Sequence, residues 1–230
     1  MLAETVQRIQ AIPGASTYEA INMARSKSSH QWMQEHVQDE YVKKAQALGY
    51  RSRAVFKLSE IQDKDKILRP GMNVVDLGAA PGGWSEYAKG IVGKKGKIVA
   101  IDLLEIEPID GVHFIQGDFR EDAILQKLYE SLDAASVDLL LSDMAPNISG
   151  NREMDQPRVI YLGELALDAA QSMLTEGGTF LIKMFQGAGF DDFFNQVRSH
   201  FKSVVIRKPK ASRPRSNEIY LLAKGFRPSK

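Results

Sequence analysis

The stretch Val74 Val75 Asp76 Leu77 Gly78 Ala79 Ala80 Pro81 Gly82 Gly83 Trp84 Ser85 reads as a strand, a glycine-rich turn and the entry to a helix. Gly78, Gly82 and Gly83 carry no Cβ, so the backbone there can come close to a ligand. The spacing is not G-x-G-x-x-G, the pattern that seats a pyrophosphate on a helix N-terminus, which argues against a dinucleotide. From Pro70 Gly71 onward, short β-branched or apolar runs alternate with longer helical patterns. The candidate strands are Asn73 to Asp76, Lys97 to Asp102, Val112 to Gln116, Val137 to Ser142, Thr179 to Met184, Ser203 to Arg207 and Glu218 to Ala223. The clearest helix runs from about Gln156 to Leu174, with Asp155 as the expected N-cap, Pro157 in the first turn and Gly177 Gly178 as its stop. Two earlier helices are expected, from about Trp32 to Leu48 ending at Gly49, and from Ala54 to Ile61. Five β units joined by helices, then two strands linked by a basic loop, imply an α/β fold. The sheet should be doubly wound, seven-stranded and mostly parallel, with a terminal antiparallel strand.

A chain of 230 residues with 43% hydrophobic content suits one well-buried α/β domain. No apolar run approaches the length of a membrane span and the amino terminus lacks a signal-peptide pattern, so a soluble, cytoplasmic protein is expected. With no cysteine there is no disulfide, no thiolate metal site and no cysteine nucleophile. That excludes pyrimidine C5 modification through a cysteine adduct. His30, His36, His113 and His200 show no paired-ligand spacing, so no metal is expected. The net charge of +1 hides an asymmetry, with an acidic middle from Ile101 to Leu140 and a basic tail from Phe201 onward. Such a positive end points to a polyanionic partner, although a solvated charged surface would look the same.

Acids stand at the ends of successive strands. Asp102, after the second strand, is placed to accept hydrogen bonds from ribose hydroxyls, and Asp118 from an adenine amino group, while Trp84 offers an apolar face. Each acid could equally cap a turn. Lys183, in Lys183 Met184 Phe185 Gln186 Gly187, closes an apolar run at the edge where an α/β sheet holds its catalytic groups. Lys57, Asp143 and Glu218 can be read as its partners. Two lysines and two carboxylates can lower one lysine's pKa while orienting the other, which is the equipment of a proton-transfer site.

The strings Val75 to Trp84 and Ser142 Asp143 Met144 Ala145 Pro146 Asn147, with Lys57, Lys183 and Glu218 in order, closely resemble the FtsJ/RrmJ (RlmE) family. The resemblance covers Ser28 to the C-terminus. It implies a Rossmann-like class I methyltransferase fold and S-adenosyl-L-methionine as cofactor, bound through Gly82, Trp84, Asp102, Asp118 and Asp143. It also implies methylation of a uridine ribose 2′-hydroxyl in the A loop of 23S rRNA, in the 50S subunit or its precursor. Lys183 would be the base, Asp143 and Glu218 would orient the lysines and the hydroxyl, and Lys57 would hold the substrate. The implied alternatives are a tRNA or cap 2′-O-methyltransferase, or a non-catalytic ribosome-assembly factor. The motif after the fourth strand lacks the Pro-Pro-aromatic pattern of amino-methylating enzymes, which favours ribose over base. Arg51, Arg53, Arg207, Lys208, Lys210, Arg213 and Arg215 are expected to bind RNA phosphates, and a 2′-hydroxyl acceptor excludes DNA. No membrane or obligate protein partner is expected. Residues 28–230 read as one methyltransferase domain. Residues 1–27 read as a flexible extension, with Met23 as a possible start.

Overall fold

The computed structural model describes residues 39–132, 137–146, 148–213 and 215–228. The expected extension 1–27, the possible start at Met23, the first part of the helix from Trp32 and Asn147 lie outside the described residues. Seven strands form one sheet: β1 (Asn73–Leu77), β2 (Lys97–Asp102), β3 (His113–Gln116), β4 (Val137–Ser142), β5 (Leu174–Phe185), β6 (Phe201–Arg207) and β7 (Glu218–Phe226). Their order is β3-β2-β1-β4-β5-β7-β6. The first five run parallel to one another, whereas β7 is antiparallel to both β5 and β6. The antiparallel strand therefore lies inside the sheet, and β6 forms the edge.

Six helices are described: α1 (Glu40–Ala47), α2 (Val55–Asp65), α3 (Gly83–Val92), α4 (Asp122–Ser131), α5 (Arg152–Met173) and α6 (Phe190–His200). Side-chain alternation along the strands builds a core on each face of the sheet. Val75, Leu77, Leu140, Phe180 and Ile182 pack with Leu128 of α4, Leu167 of α5 and Phe193 of α6. The alternate residues Val74, Leu139, Leu141, Leu181, Tyr220 and Leu222 pack with Leu58 of α2 and Trp84 of α3. The central β1–β4 pair is where the chain reverses its direction of winding, and a ligand crevice is expected at the carboxyl ends of these strands.

Local expectations changed at α5. It begins four residues before the expected start, because Asn151 is the N-cap and accepts from the Glu153 amide at 3.0 Å. Asp155 turns back to the preceding loop and accepts from the amide and hydroxyl of Ser149, both at 2.8 Å, and from the Gly150 amide at 2.9 Å. Gly177 and Gly178 do not stop the helix, which ends at Met173. They sit in β5, where the register against β4 shifts between Val137 and Leu139.

Candidate active site

The β5–β7 register sets Lys183 opposite Tyr220 and Phe185 opposite Glu218. By alternation Lys183, Tyr220 and Glu218 share the face covered by α2, which carries Lys57. Asp143 follows the last residue of β4. Lys57 Nζ lies 2.7 Å from Glu218 Oε1, and Lys183 Nζ lies 3.2 Å from Asp143 Oδ1. Lys183 also donates to the Asp143 carbonyl. The four residues expected to act together are thus assembled as two ion pairs around Tyr220, whose hydroxyl donates to Asp143 Oδ1 at 2.7 Å. The Ser212 hydroxyl, itself buried, donates to Glu218 Oε1 at 2.7 Å.

Burial pushes the Asp143 carboxyl up, but the charges of Lys183 and Lys57 and the hydrogen bonds from Tyr220 and Lys183 outweigh it, so its pKa lies below the usual carboxylate value. Burial likewise raises Glu218, and Lys57, then Lys183, pull it below its ordinary value against the repulsion of Asp143. Both acids are therefore anions facing cations. Tyr220 is held well above its ordinary pKa, first by burial and then by the charges of Asp143 and Glu218, so it remains a hydroxyl donor. Sequence reasoning missed Tyr220 and Ser212 as site residues. Tyr220 could have been found from parity, since it stands two residues from Glu218 and so on the same strand face. Ser212 lies in a loop and carries no periodic signal.

The two pairs line a cleft of about 1380 Å³. Gly78 lines it and lies so close to Met144 that an added Cβ would fall 2.4 Å from Met144 Cγ. Asp102 and Asp118 line it too, but both have local work. Asp102 accepts from the Ala80 and Leu104 amides, each at 2.8 Å, and so pins the glycine-rich turn to β2. Asp118 is paired with the exposed Arg120, whose hydrogen bonds hold the Asp118 carboxyl below its usual pKa, against a smaller effect of burial. Gly82 is buried and N-caps α3 with φ +102°, a conformation that only glycine adopts readily. Trp84 does not offer its ring to the cleft as expected. The side chain is 3% exposed, its indole donates to the Ala54 carbonyl at 2.7 Å, and its ring packs on Tyr220. What this part of the chain can present to a ligand is backbone, because first-turn amides of a helix have no intrahelical acceptors.

Behind the turn, Asp76 is fully buried and accepts from Ser85 Oγ at 2.6 Å, while its Oδ1 has no hydrogen-bond partner. Burial pushes its pKa up to about 7; the Ser85 hydrogen bond opposes this, and the charges of Asp143 and Asp102 add to it.

Several cations expected to bind phosphates are instead committed within the protein. Arg51 donates to the Glu107 and Pro108 carbonyls at 2.9 and 3.1 Å. Arg53 bonds to Asp39 and to the Ala211 carbonyl, and Arg207 makes two 2.7 Å bonds to Asp65. Lys208 donates to the Ser216 and Glu218 carbonyls. Arg213 and Arg215 line the cleft, and Lys210 is exposed. No helix among the described residues is long and apolar enough to cross a membrane.

The sequence model of the family described as FtsJ-like methyltransferase matches residues 50–226. The chain is 58% identical over 205 residues to the ribosomal RNA large subunit methyltransferase E of Pseudomonas paraeruginosa, covering 89% of this chain and 99% of the relative. It is 57% identical over 204 residues to the protein of the same name from Legionella pneumophila, with the same coverage of 89% and 99%. Among solved structures, a Plasmodium falciparum protein described as a ribosomal RNA methyltransferase superposes with a TM-score of 0.69 at 33% identity, covering 77% of this chain and 98% of that one. Aeropyrum pernix fibrillarin, solved with natively bound S-adenosyl-L-methionine, gives 0.52 at 18% identity over 74% of this chain and 75% of its own, a likeness of fold.

Proposed function

Because the chain belongs to the FtsJ-like methyltransferase family, we propose that it methylates the 2′-hydroxyl of a uridine ribose in the A loop of 23S rRNA, within the large ribosomal subunit or its precursor. The observation that carries this reading is the meeting of Lys57 with Glu218 and of Lys183 with Asp143 on one cleft wall. The names borne by its relatives support ribosomal RNA as the substrate.

The residues fit S-adenosyl-L-methionine. Three acids, Asp102, Asp118 and Asp143, line the cleft beside the glycine-rich turn, an acceptor set that suits a cation carrying hydroxyl and amino groups. Asp102 would accept from ribose hydroxyls, Asp118 from the adenine amino group, and the backbone of Gly82 and Trp84 would meet the amino-acid end. When bound, the cofactor supplies an electrophilic methyl group. The protein's task is then to take a proton from an alcohol, a poor nucleophile until that proton leaves. Lys183 Nζ would accept the hydroxyl proton, and Asp143, fixed by Tyr220, would orient Lys183. Lys57, fixed by Glu218, holds the hydroxyl. Lysine can act as the base only in its neutral form, so deprotonation of Lys183 must precede the transfer.

Ribose methylation mapped across ribosomal RNA from cells with and without the protein tests the reading. One large-subunit uridine should lose its 2′-O-methyl group, and purified protein should restore it on the undermethylated subunits but leave free tRNA unmodified. An unchanged ribosomal RNA map, or transfer to tRNA alone, would overturn the assignment.

A further inference from the structure

Seven large apolar side chains are exposed among the described residues, and three of them, Leu103, Ile148 and Tyr161, line the cleft that holds the lysine–carboxylate pairs. Scattered exposed apolar residues are ordinary, but a group gathered at the mouth of a charged cleft marks a binding surface. Tyr161 is 51% exposed, and neither the cofactor contacts nor the proton-transfer groups named above use it. Met154, Arg158 and Tyr161 follow one another at i, i+4 and i+7 on α5, so they form one exposed stripe. Arg158 and Tyr161 both line the cleft. Ile148 stands at the foot of this stripe, in the loop that Asp155 fastens through Ser149 and Gly150.

The cleft is larger than an ordinary small-molecule site. Small-molecule sites enclose roughly 300–1,000 Å³, and this cleft measures about 1380 Å³. The α5 wall is distinct from the basic rim of Arg213 and Arg215, which lie between β6 and β7. An accessible aromatic ring with a guanidinium one helical turn away is the chemistry that stacks an unpaired base and meets its phosphate. We infer that Tyr161, with Arg158 beside it, stacks an unpaired RNA base adjoining the target nucleotide, so that α5 forms a second wall of the RNA site. The inference rests on the proposed RNA substrate and adds the element that holds the flanking base.

Binding of a short fluorescent oligouridylate, measured together with methyl transfer to undermethylated large subunits, tests it. Tyr161→Ala should weaken oligouridylate binding by about 5- to 150-fold, the range for loss of one stacked base. The salt slope should not change, because no charge is removed. Tyr161→Phe should restore most of the lost affinity, since the ring does the stacking. Arg158→Gln should instead lower the salt slope by about 0.7, the value for one phosphate contact on a single strand. Cofactor affinity by calorimetry should be the same in all three variants. Wild-type oligouridylate affinity for Tyr161→Ala would overturn the inference. A loss of cofactor affinity would overturn it as well, by assigning the ring to adenine, and a defect seen on assembled subunits with normal oligouridylate binding would assign it to a protein contact. If the wild type binds RNA through Tyr161 yet methylates no ribose, the proposed reaction fails and the stacking wall stands.

Discussion

Lys183 holds the strongest claim on the chemistry, because it is the lysine whose amine touches Asp143 through both the carboxylate and the carbonyl. Such a grip fixes the direction of its lone pair once the proton is gone, which a general base requires. Lys183→Ala should bind cofactor and RNA nearly as the wild type does, yet transfer methyl groups at least about 10²-fold more slowly. Lys183→Arg should not restore the rate, since a guanidinium keeps its proton. Single-turnover assays at saturating RNA and cofactor decide the matter. Near-wild-type rates for the arginine variant would mean that the position needs only positive charge. The sequence made Lys57, Asp143, Lys183 and Glu218 legible because each stands in a recognisable string or at a strand end. It misled at Trp84, where an aromatic beside a glycine-rich turn suggested a ligand face. The helix start instead points the ring inward against Tyr220, and no local pattern distinguishes those outcomes.

The elements that assemble the pairs are held together by ion pairs that looked, as a list of charges, like an RNA-binding tail. Arg207 of β6 reaches back to Asp65 at the end of α2 with two 2.7 Å hydrogen bonds, and Lys224 of β7 donates to the Asp65 carbonyl at 2.8 Å. These contacts seat the helix that carries Lys57 on β6 and on β7, the strand that carries Glu218. They join residues far apart in the chain, so neither composition nor spacing could reveal them. The Asp65 carboxyl is held below its usual pKa, chiefly by the Arg207 hydrogen bond, which burial opposes and the charges of Arg207 and Lys224 reinforce. A depressed folded-state value means that this stabilisation is present above the unfolded pKa and is lost as pH falls through the folded one. Arg207→Gln should therefore cost about 1–3 kcal/mol of stability near neutral pH, as for hydrogen bonds to a charged group, and less in acid. Oligouridylate affinity of the folded variant should stay at the wild-type level. Denaturant melts at neutral and acid pH check the first claim and binding checks the second. Normal stability with weakened RNA binding would return Arg207 to the RNA surface.

At the scale of the molecule, periodicity and turn chemistry were enough to read a seven-stranded, mostly parallel sheet, since strand alternation and glycine breaks are local properties. The place of β7 between β5 and β6 depends on pairing between distant segments, and so it became visible only in the fold. The same assembly leaves opposed charges buried in one domain, and its stability should respond to pH in two directions. Asp143, Glu218 and Asp65 have depressed values, so their contributions are present above the unfolded pKa of each group and disappear in acid. Asp76 runs the other way. With a folded value of about 7, it binds a proton in the native state at pH values where the unfolded chain has already lost it. Stability from this group therefore falls as pH climbs from the unfolded value near 4 toward 7, and is level above that. Asp76→Asn keeps an acceptor for the Ser85 hydroxyl and removes the buried charge, so it should cancel the decline, which reaches up to about 1.4 kcal/mol per pH unit. Urea melts of the two proteins at pH 5 and pH 8 measure it. The variant should gain on the wild type as pH rises, and an equal difference at both values would show that Asp76 does not titrate in that window.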